Sequence, residues 1–437
     1  WSGDYTLDAN VQAAIAHYLA CGTPELMQSL FRLLDRMLPD FRENAGALYN
    51  ARGLFVNSRV SRHGLQQRYN YCPVFFWTAG GAWLAHYYYD YYEYTGDREF
   101  LRQTALPFMR EAARFFRDFL FKDEKGWYKF NPSYSPENHP ADSDSPVTVN
   151  ATMDIAALRE LLTNLVDACG VLDIDDPELS VWQEMLDNLP PYLANEDGAL
   201  KEWSSSGVKD NYSHRHMSHL YPLYPGSEAD PDNNGELYNM CRQALRMRLQ
   251  HYDPTDYGGF GLYHLAMAAA RAGDAESALN ALAYMLSEHI YTGMGTAHDP
   301  GPAIFNMDAS GGIPAVVTEM LVISRKGGLE LMPAPVGPLR AGRIQGIRCR
   351  GQVSVDELQW DMGEGVLRCR LKSEQAWNFS VLIPRQLTRL RLIKGAVEQD
   401  GEQHGKTCLR VHAEPGQEVE FEATTPNNSD YGIRRGN

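Results

Sequence analysis

Residues 80–121 have the sequence GGAWLAHYYYDYYEYTGDREFLRQTALPFMREAARFFRDFLF, in which two long apolar-periodic runs are separated by only three residues. The separating residues are Thr95, Gly96 and Asp97. Glycine readily adopts the left-handed backbone conformation that often ends a helix, so Gly96 is expected to end the first helix. Two helices joined by so short a turn pack antiparallel. The stretch therefore predicts a helical hairpin, and the fold follows from the recurrence of such hairpins along the chain.

A second hairpin of the same kind is predicted at 260–290, where FGLYHLAMAAARA is followed by Gly273-Asp274 and then by AESALNALAYMLSEHI. Thr23-Pro24-Glu25 is typical of a helix start, because it combines a capping residue, a first-turn proline and an acidic residue. Further apolar-periodic runs predict helices at 152–170, 178–190, 235–250 and 313–325. At least eight helices in short-linked pairs indicate a mainly α fold, either an α-helical toroid or a solenoid.

The hydrophobic pattern changes near residue 330. The later runs are short, alternate polar and apolar residues, and contain many β-branched side chains, as in GIRCRGQVSVDELQW and GVLRCRLKS. This pattern predicts β-strands, and their number and length are typical of a β-sandwich. We therefore expect two domains, a helical one at 1–330 and a C-terminal antiparallel β-sandwich at 331–437. Because the second contains no cluster of histidines or acidic residues, we expect the active site in the first.

The composition argues against two classes of partner. The formal net charge is −16. Nucleic acids and anionic membranes bind clustered lysine and arginine, so neither is an expected partner. No apolar run reaches the roughly 18 residues that a transmembrane helix requires. The seven cysteines are odd in number and contain no Cys-x-x-Cys pair. This usage favours reduced thiols and a reducing compartment such as the cytoplasm.

A proline-rich loop, NPSYSPENHP at 131–140, carries the first candidate catalytic residue, Glu137. Proline fixes φ and lacks a backbone N–H, so this segment is neither a helix nor a central strand. It is expected to be a stiff, irregular loop. One interpretation is an exposed turn. The other is that the prolines hold the Glu137 carboxyl group at a defined place in a cleft.

Two further polar clusters lie at the two ends of the predicted helical domain. Asp4, Thr6, Asp8 and Asn10 alternate in DYTLDAN, and they share one face if that segment is extended. The alternative interpretation is a solvated terminus. In FNMDASGG, Asp308 precedes two glycines and the start of an apolar run. The alternative there is an ordinary helix-opening loop.

The last polar cluster is HRHMSHLYPLYPG at 214–226, in which His214, His216 and His219 surround Arg215. Histidines at this spacing are compatible with a zinc site, although no acidic or cysteine ligand lies at the matching distance in the sequence. The other interpretation is a group of packed histidines, with Arg215 binding hydroxyl groups or a carboxylate.

Taken together, six motifs occur in the order seen in glycoside hydrolase family 95, which contains inverting α-L-fucosidases and some α-L-galactosidases. They are GDYTLDAN, GGAWLAHYYYDYYEYTGD, PSYSPEN followed by NATMDIAALRELL, HRHMSHLYPLYPG, RAGDAESAL and NMDASGGIPAVVTEMLV. The resemblance runs from residue 1 to about residue 355. It implies an (α/α)6 barrel of the six-hairpin glycosidase type. The family also has an N-terminal β-sandwich and a helical linker, which this sequence lacks, so we expect the chain to begin just inside the barrel.

The resemblance also implies a set of catalytic residues. Glu137 occupies the position of the family's general acid, Asn10 that of a water-binding asparagine, and Asp308 that of the aspartate that polarises the water. An inverting glycosidase needs such a proton donor and a base on opposite faces of the sugar. The chain departs from the family at Asp8, where a second asparagine is usual, and at Thr6, where a histidine is usual. Asp8 is therefore a further candidate for activating water.

Candidate substrate-binding residues follow from the same resemblance. Arg215 and His216 lie in an intact His-Arg-His motif, and Trp77 is expected to supply a sugar-stacking wall. Ser310-Gly311-Gly312 replaces the Asn-Phe-Gly that usually follows the family's aspartate. The implied reaction needs no metal and no organic cofactor, and its substrate is an oligo- or polysaccharide. Two other classes remain open: a polysaccharide lyase or sugar isomerase with the same toroid, and a non-catalytic glycan-binding protein.

Overall fold

The computed structural model describes residues 3–66, 72–301, 304–334, 336–383, 386–403 and 405–425. Residues before Leu321 are mainly helical. The helices are Asn10–Ile15 (α1), Met27–Tyr49 (α2), Gly80–Thr95 (α3), Arg98–Phe100 (α4), Leu106–Phe119 (α5), Thr152–Leu172 (α6), Leu179–Asp187 (α7), Gly235–Leu249 (α8), Gly259–Arg271 (α9), Ala275–Glu288 (α10) and Asp308–Leu321 (α11). A π-helical turn, Leu101–Ala105, connects α4 to α5.

Both hairpins predicted from short turns are present, and their turns have the expected chemistry. Gly96 follows α3 with a φ of 68°, and Gly273 lies between α9 and α10 with a φ of 75°. An aspartate then caps the next helix in each case. The Asp97 side chain accepts a hydrogen bond from the Phe100 N–H at 2.9 Å, and Asp274 accepts one from Ser277 at 3.1 Å. The turn sequence thus fixes both the end of one helix and the start of the next.

The helices form two layers. All thirteen residues of α9 are buried, as are the first eleven of α3, whereas α5 and α10 bury only one face. A helix that is buried all round lies inside a protein, and a helix with one apolar face covers it from outside. Helix α1 packs against α11 and α9, so the start of the helical region contacts its last helix. The predicted (α/α)6 toroid is confirmed.

The second unit consists of two packed sheets. Six short strands form three small pairs within the helical part, and the remaining eleven build the sheets. The strands are Tyr5–Thr6 (β1), Arg59–Val60 (β2), Phe121–Lys122 (β3), Tyr128–Lys129 (β4), Ile290–Tyr291 (β5), Gly295–Thr296 (β6), Val322–Arg325 (β7), Gly328–Leu331 (β8), Ala341–Ile344 (β9), Ile347–Cys349 (β10), Val353–Asp361 (β11), Val366–Ser373 (β12), Trp377–Ile383 (β13), Arg389–Lys394 (β14), Ala396–Gln403 (β15), Lys406–Ala413 (β16) and Glu418–Thr424 (β17).

One sheet has the strand order β10-β11-β12-β17-β14, with β9 also paired to β11, and the other has the order β15-β16-β13-β8-β7. Alternating side chains of both sheets share one hydrophobic core, which includes Val355, Leu371, Val381 and Phe421. The predicted C-terminal antiparallel sandwich is therefore confirmed, although β8 pairs with β13 in parallel.

The structure corrects one predicted helix and leaves the predicted domain boundary untested. The helix predicted at 313–325 is wrong at both ends, because α11 begins at Asp308 and passes directly into β7 at Val322. The domain boundary at residues 330 and 331 stays a prediction, and β7 and β8, which precede it, already belong to a sheet of the sandwich. The last part of the predicted second domain, 426–437, lies outside the described residues.

The structure bears on two predictions from composition. Among the described residues, no helix combines the length and apolar character needed to cross a membrane. All seven cysteines are free thiols, five of them buried and two, Cys21 and Cys72, exposed. The predicted reduced thiols agree with these free cysteines, whereas the compartment stays a prediction.

Candidate active site

Packing of α1 against α11 brings together two polar residues that are far apart in the sequence. Asn10 is the first residue of α1 and Asp308 is the first residue of α11. The Asn10 Nδ2 donates a hydrogen bond to the Asp308 Oδ2 at 2.6 Å. Gly311 allows the two helices to approach, because a Cβ there would lie 2.2 Å from the Ala14 carbonyl oxygen. The glycine that departs from the family motif is thus required by this close contact.

Asp308 lies in an environment that disfavours its charged form. Its side chain is buried, and burial raises its pKa to about 7. The hydrogen bond that Asn10 donates opposes that shift, because it stabilises the carboxylate. A carboxyl group with a pKa near 7 is a better proton acceptor than an ordinary aspartate.

Buried hydrogen bonds anchor the proline-rich loop that carries Glu137. The Ser133 hydroxyl donates to the Asp154 carboxylate at 2.6 Å, and the Ser135 hydroxyl donates to Glu202 at 2.8 Å. Asn138 Nδ2 donates to the second oxygen of Glu202 at 2.7 Å. Ser133, Ser135 and Asn138 are all fully buried, so the segment is not an exposed turn.

The Glu137 side chain itself remains partly exposed and has cationic or polar neighbours. Its Oε2 forms an ion pair with Arg215, and the His216 Nε2 lies 3.9 Å from the same oxygen. Burial lowers the pKa of His216 well below its usual range, and the nearby His214 and Arg215 add to that shift. His216 is therefore neutral near pH 7 and can accept or donate a hydrogen bond without adding charge.

Asp8 contributes a third carboxyl group. Desolvation and, second to it, the negative charge of Glu137 raise its pKa to about 7, while Arg59 opposes the shift. Nearby, β1 pairs with β2, and this pairing places Thr6 directly opposite Arg59. The segment that holds Thr6 and Asp8 is thus part of the site and not a solvated terminus.

A narrow cavity of about 40 Å³ connects these groups. The predicted site residues that line it are Thr6, Asp8, Asn10, Glu137, Arg215 and His216. A larger cavity of about 720 Å³ is also lined by Thr6 and Asn10, and in addition by Asp308. The two cavities adjoin because they share these lining residues. The candidate acid and the candidate water-activating groups therefore line two neighbouring cavities, which we together call the recess.

Trp77 is the one predicted binding residue that the structure does not bring to this recess. Its side chain is fully buried, and its ring packs edge-on against Trp83 with the ring centroids 6.4 Å apart. A side chain with no exposed surface cannot stack on a sugar. The prediction of a sugar-stacking wall at Trp77 is therefore wrong in this structure.

Sequence reasoning missed five residues that shape the site. Arg59, Phe260 and His298 line the narrow cavity, and Glu202 and Arg248 lie beneath the loop that carries Glu137. None of them belongs to a cluster that the sequence makes visible. The cue closest to one of them was the glycine-rich segment before Phe260, since glycines often mark a close approach of the backbone to a ligand.

The histidines at 214–226 do not form a metal site in the structure. The His214 and His216 rings meet edge to face with centroids 5.3 Å apart, while His219 is buried at 3.9 Å from Glu202. Within the described ranges, no three His, Cys, Asp or Glu side chains are placed to hold a metal ion together. The interpretation of packed histidines agrees with this geometry, and independence from a metal stays a prediction.

A toroid of helical hairpins with several carboxyl groups lining neighbouring cavities is compatible with a glycoside hydrolase, since most such enzymes use a pair of carboxyl groups. Comparison with known proteins then defines the family. The model of the glycosyl hydrolase family 95 catalytic domain matches residues 1–321. This chain belongs to glycoside hydrolase family 95.

Curated relatives agree with that assignment. The chain is 30% identical to Alpha-L-fucosidase 2 of Arabidopsis thaliana over 393 residues, which cover 86% of this chain and 45% of that protein. It is 24% identical to "Probable alpha-fucosidase A" of Aspergillus niger over 392 residues, 85% of this chain and 48% of that protein. The chain thus spans about half the length of the curated relatives it matches.

Solved structures support the fold. A Streptomyces avermitilis α-L-rhamnosidase complexed with L-rhamnose superposes with a TM-score of 0.52 at 12% identity, covering 94% of this chain and 38% of that one. At this identity the likeness concerns the fold alone.

Proposed function

We propose that this chain hydrolyses terminal α-L-fucosyl or α-L-galactosyl residues of glycans and inverts the configuration at the anomeric carbon. The main observation in support of the proposal is the hydrogen bond between Asn10 and Asp308, which lies in the recess that also contains Glu137. Family membership and the α-fucosidase relatives support the choice of sugar. Exo action on a terminal sugar is proposed from family membership.

In this proposal, Glu137 donates a proton to the leaving oxygen. Arg215 and the anchored loop hold its carboxyl group in place. Asn10 and Asp308 bind the attacking water on the opposite face of the sugar. The Asn10 amide nitrogen donates to Asp308, and its carbonyl oxygen is the atom that would accept a hydrogen bond from that water. An amide cannot take up the proton, and Asp308 therefore accepts it, with Asp8 as the second candidate.

The preferred sugar depends on the group that faces C6, a methyl in L-fucose and a hydroxymethyl in L-galactose. Thr6 lines both cavities and is smaller than the histidine usual in the family, and it offers a hydroxyl partner. A site with one hydroxyl and extra room discriminates weakly. We therefore propose that both sugars are accepted, with a preference for L-galactose. Arg59, Arg215 and His216 are the proposed partners of the other sugar hydroxyls.

The test combines a substrate panel with Glu137→Gln. The wild type should hydrolyse aryl α-L-fucoside, aryl α-L-galactoside and fucosylated glycans, and NMR should show inversion at the anomeric carbon. Glutamine keeps the shape but cannot donate the proton, so hydrolysis of natural glycosides should fall by about 10²–10⁴-fold. Aryl substrates with good leaving groups should lose less, because they need less protonation.

Glu196→Gln is the matched control, because Glu196 is exposed and lies outside the recess, and it should keep full activity. Equal, small losses on all substrates would remove Glu137 from the acid role. Retention of configuration would contradict the water-activating arrangement. An unsaturated product would indicate a lyase, an isomerised free sugar would indicate an isomerase, and sugar binding without turnover would indicate a binding protein.

A further inference from the structure

A buried ion pair lies directly beneath the loop that carries Glu137. The Glu202 carboxylate and the Arg248 guanidinium contact each other, and each side chain is only 1% exposed. A buried ion pair is a weak source of stability, since apolar side chains of similar size often stabilise a core as well or better. Stability alone therefore does not account for the position of this ion pair or for its other hydrogen-bond partners.

The Glu202 carboxylate holds the loop that carries Glu137 on both sides of that residue. One oxygen of Glu202 accepts from the Ser135 hydroxyl at 2.8 Å, two residues before Glu137, and the other accepts from Asn138 at 2.7 Å, one residue after it. Both donors are fully buried. Contacts on both sides of one residue restrict its backbone more than a single contact does, because they limit rotation as well as displacement.

The guanidinium half holds the segment that carries the partner of Glu137. Arg248 Nη1 donates to the His214 carbonyl oxygen at 3.0 Å, directly before Arg215. Arg215 in turn forms the ion pair with Glu137. The buried Glu202–Arg248 pair therefore connects the loop that carries Glu137 to the segment that carries Arg215. Glu137 and Arg215 form the second, partly exposed ion pair. The pair joins separate parts of the chain, because Arg248 lies in α8 and Glu202 lies in the segment between α7 and α8.

We propose that Glu202 and Arg248 are positioning residues that fix the Glu137 carboxyl group and Arg215 relative to each other. This inference rests on the proposed function, because it assigns the purpose of the arrangement to proton donation by Glu137. A group that donates a proton must lie within hydrogen-bond reach of the leaving oxygen, and small displacements cost large factors in rate.

The test removes the donors to Glu202 and leaves the ion pair intact. Ser135→Ala deletes the hydrogen bond to one oxygen of Glu202, and Asn138→Ala deletes the one to the other oxygen together with its bonds to the Asn211 carbonyl oxygen and the His139 N–H. Both variants keep Arg248 as the charged partner of Glu202, so both should fold. For glycosides with poor leaving groups, kcat should fall by about 10- to 100-fold with little change in KM. For aryl glycosides with good leaving groups, which need less protonation, the loss should stay below about threefold. A purely structural role would lower both rates alike.

Ser354→Ala is the matched control, since Ser354 is a buried, hydrogen-bonded serine of β11, and it should leave both rates unchanged. Crystal structures of the wild type and both variants give a readout that does not depend on activity. The variants should show the Glu137 carboxyl group displaced from Arg215. An unchanged contact, or equal losses on both kinds of substrate, would overturn the positioning role. If the wild type hydrolyses no glycoside, the proposed function fails, while the crystal structures still decide whether Glu202 fixes the pair.

Discussion

Replacing Asp308 by asparagine should lower activity and at the same time change how the stability of the protein depends on pH. The Asp308 pKa is about 7 in the folded protein, whereas an aspartate in an unfolded chain has its ordinary value of 3.8. Between these two values the folded state binds the proton more tightly than the unfolded state. Stability contributed by this group is therefore lost as pH rises through that window.

The size of the pH-dependent change in stability follows from the folded and unfolded pKa values of Asp308. Each pKa unit corresponds to about 1.36 kcal/mol. From pH 5 to pH 8 the unfolded carboxyl group is almost fully ionised, whereas the folded group loses its proton only near pH 7. The wild type should thus lose about 2–3 kcal/mol relative to Asp308→Asn over this range, because asparagine does not titrate. Hydrogen bonds that the asparagine amide cannot replace change the variant's free energy of unfolding by the same amount at pH 5 and at pH 8. They therefore cancel when the two pH values are compared.

Urea unfolding, followed by tryptophan fluorescence at several pH values between 5 and 8, measures this difference as a shift in midpoint. Asp154→Asn is a useful reference, because burial also raises the pKa of Asp154 to about 7, and it should show a similar pH-dependent gain. At pH 7 Asp308→Asn should lose at least about 10²-fold in kcat. If wild type and Asp308→Asn have parallel pH dependences of stability, Asp308 is not held protonated by burial and the reasoning is wrong.

Three further predictions address the neighbours of these groups. Gly311→Ala should cost about 3 kcal/mol and lower kcat, because its Cβ meets the rigid backbone of α1, while Gly46→Ala in α2, with open space around it, should be neutral or stabilising in thermal denaturation. Adding Asp8→Asn to the Asp308 variant should remove the residual hydrolysis, and surviving turnover would point to another base. Thr6→His should shift the kcat/KM ratio towards the L-fucoside, and an unchanged ratio would exclude Thr6 as a specificity residue.

Local signals in the sequence were enough for the hairpins, because a glycine and an aspartate between two apolar runs determine where one helix ends and the next begins. The start of α11 was misplaced for a related reason. The glycines after Asp308 suggested a loop, whereas they lie inside the helix, where Gly311 permits close contact with α1. A glycine that serves packing has the same appearance in a sequence as a glycine that serves a turn.

The site was predictable only in part. No local pattern connects Asn10 with Asp308, which lie at opposite ends of the toroid sequence, and their pairing was expected only from the resemblance to a family. Glu202 and Arg248 carry no motif at all, and their importance appears only when the fold places them under the acid loop. Trp77 was misjudged because an aromatic ring in the core and one in a sugar site have the same sequence signal.

In the proposed mechanism, the water-activating groups and the acid are supported by different parts of the fold. The water-activating side depends on the contact between α1 and α11, which joins the first and last described helices of the toroid. The acid side depends on the buried Glu202–Arg248 pair and on segments from the middle of the chain. An inverting glycosidase requires a fixed separation between acid and base, since a water molecule must fit between the base and the sugar. Under the proposed mechanism, the contact of α1 with α11 and the buried Glu202–Arg248 pair would together keep that separation, because each fixes one of the two groups independently.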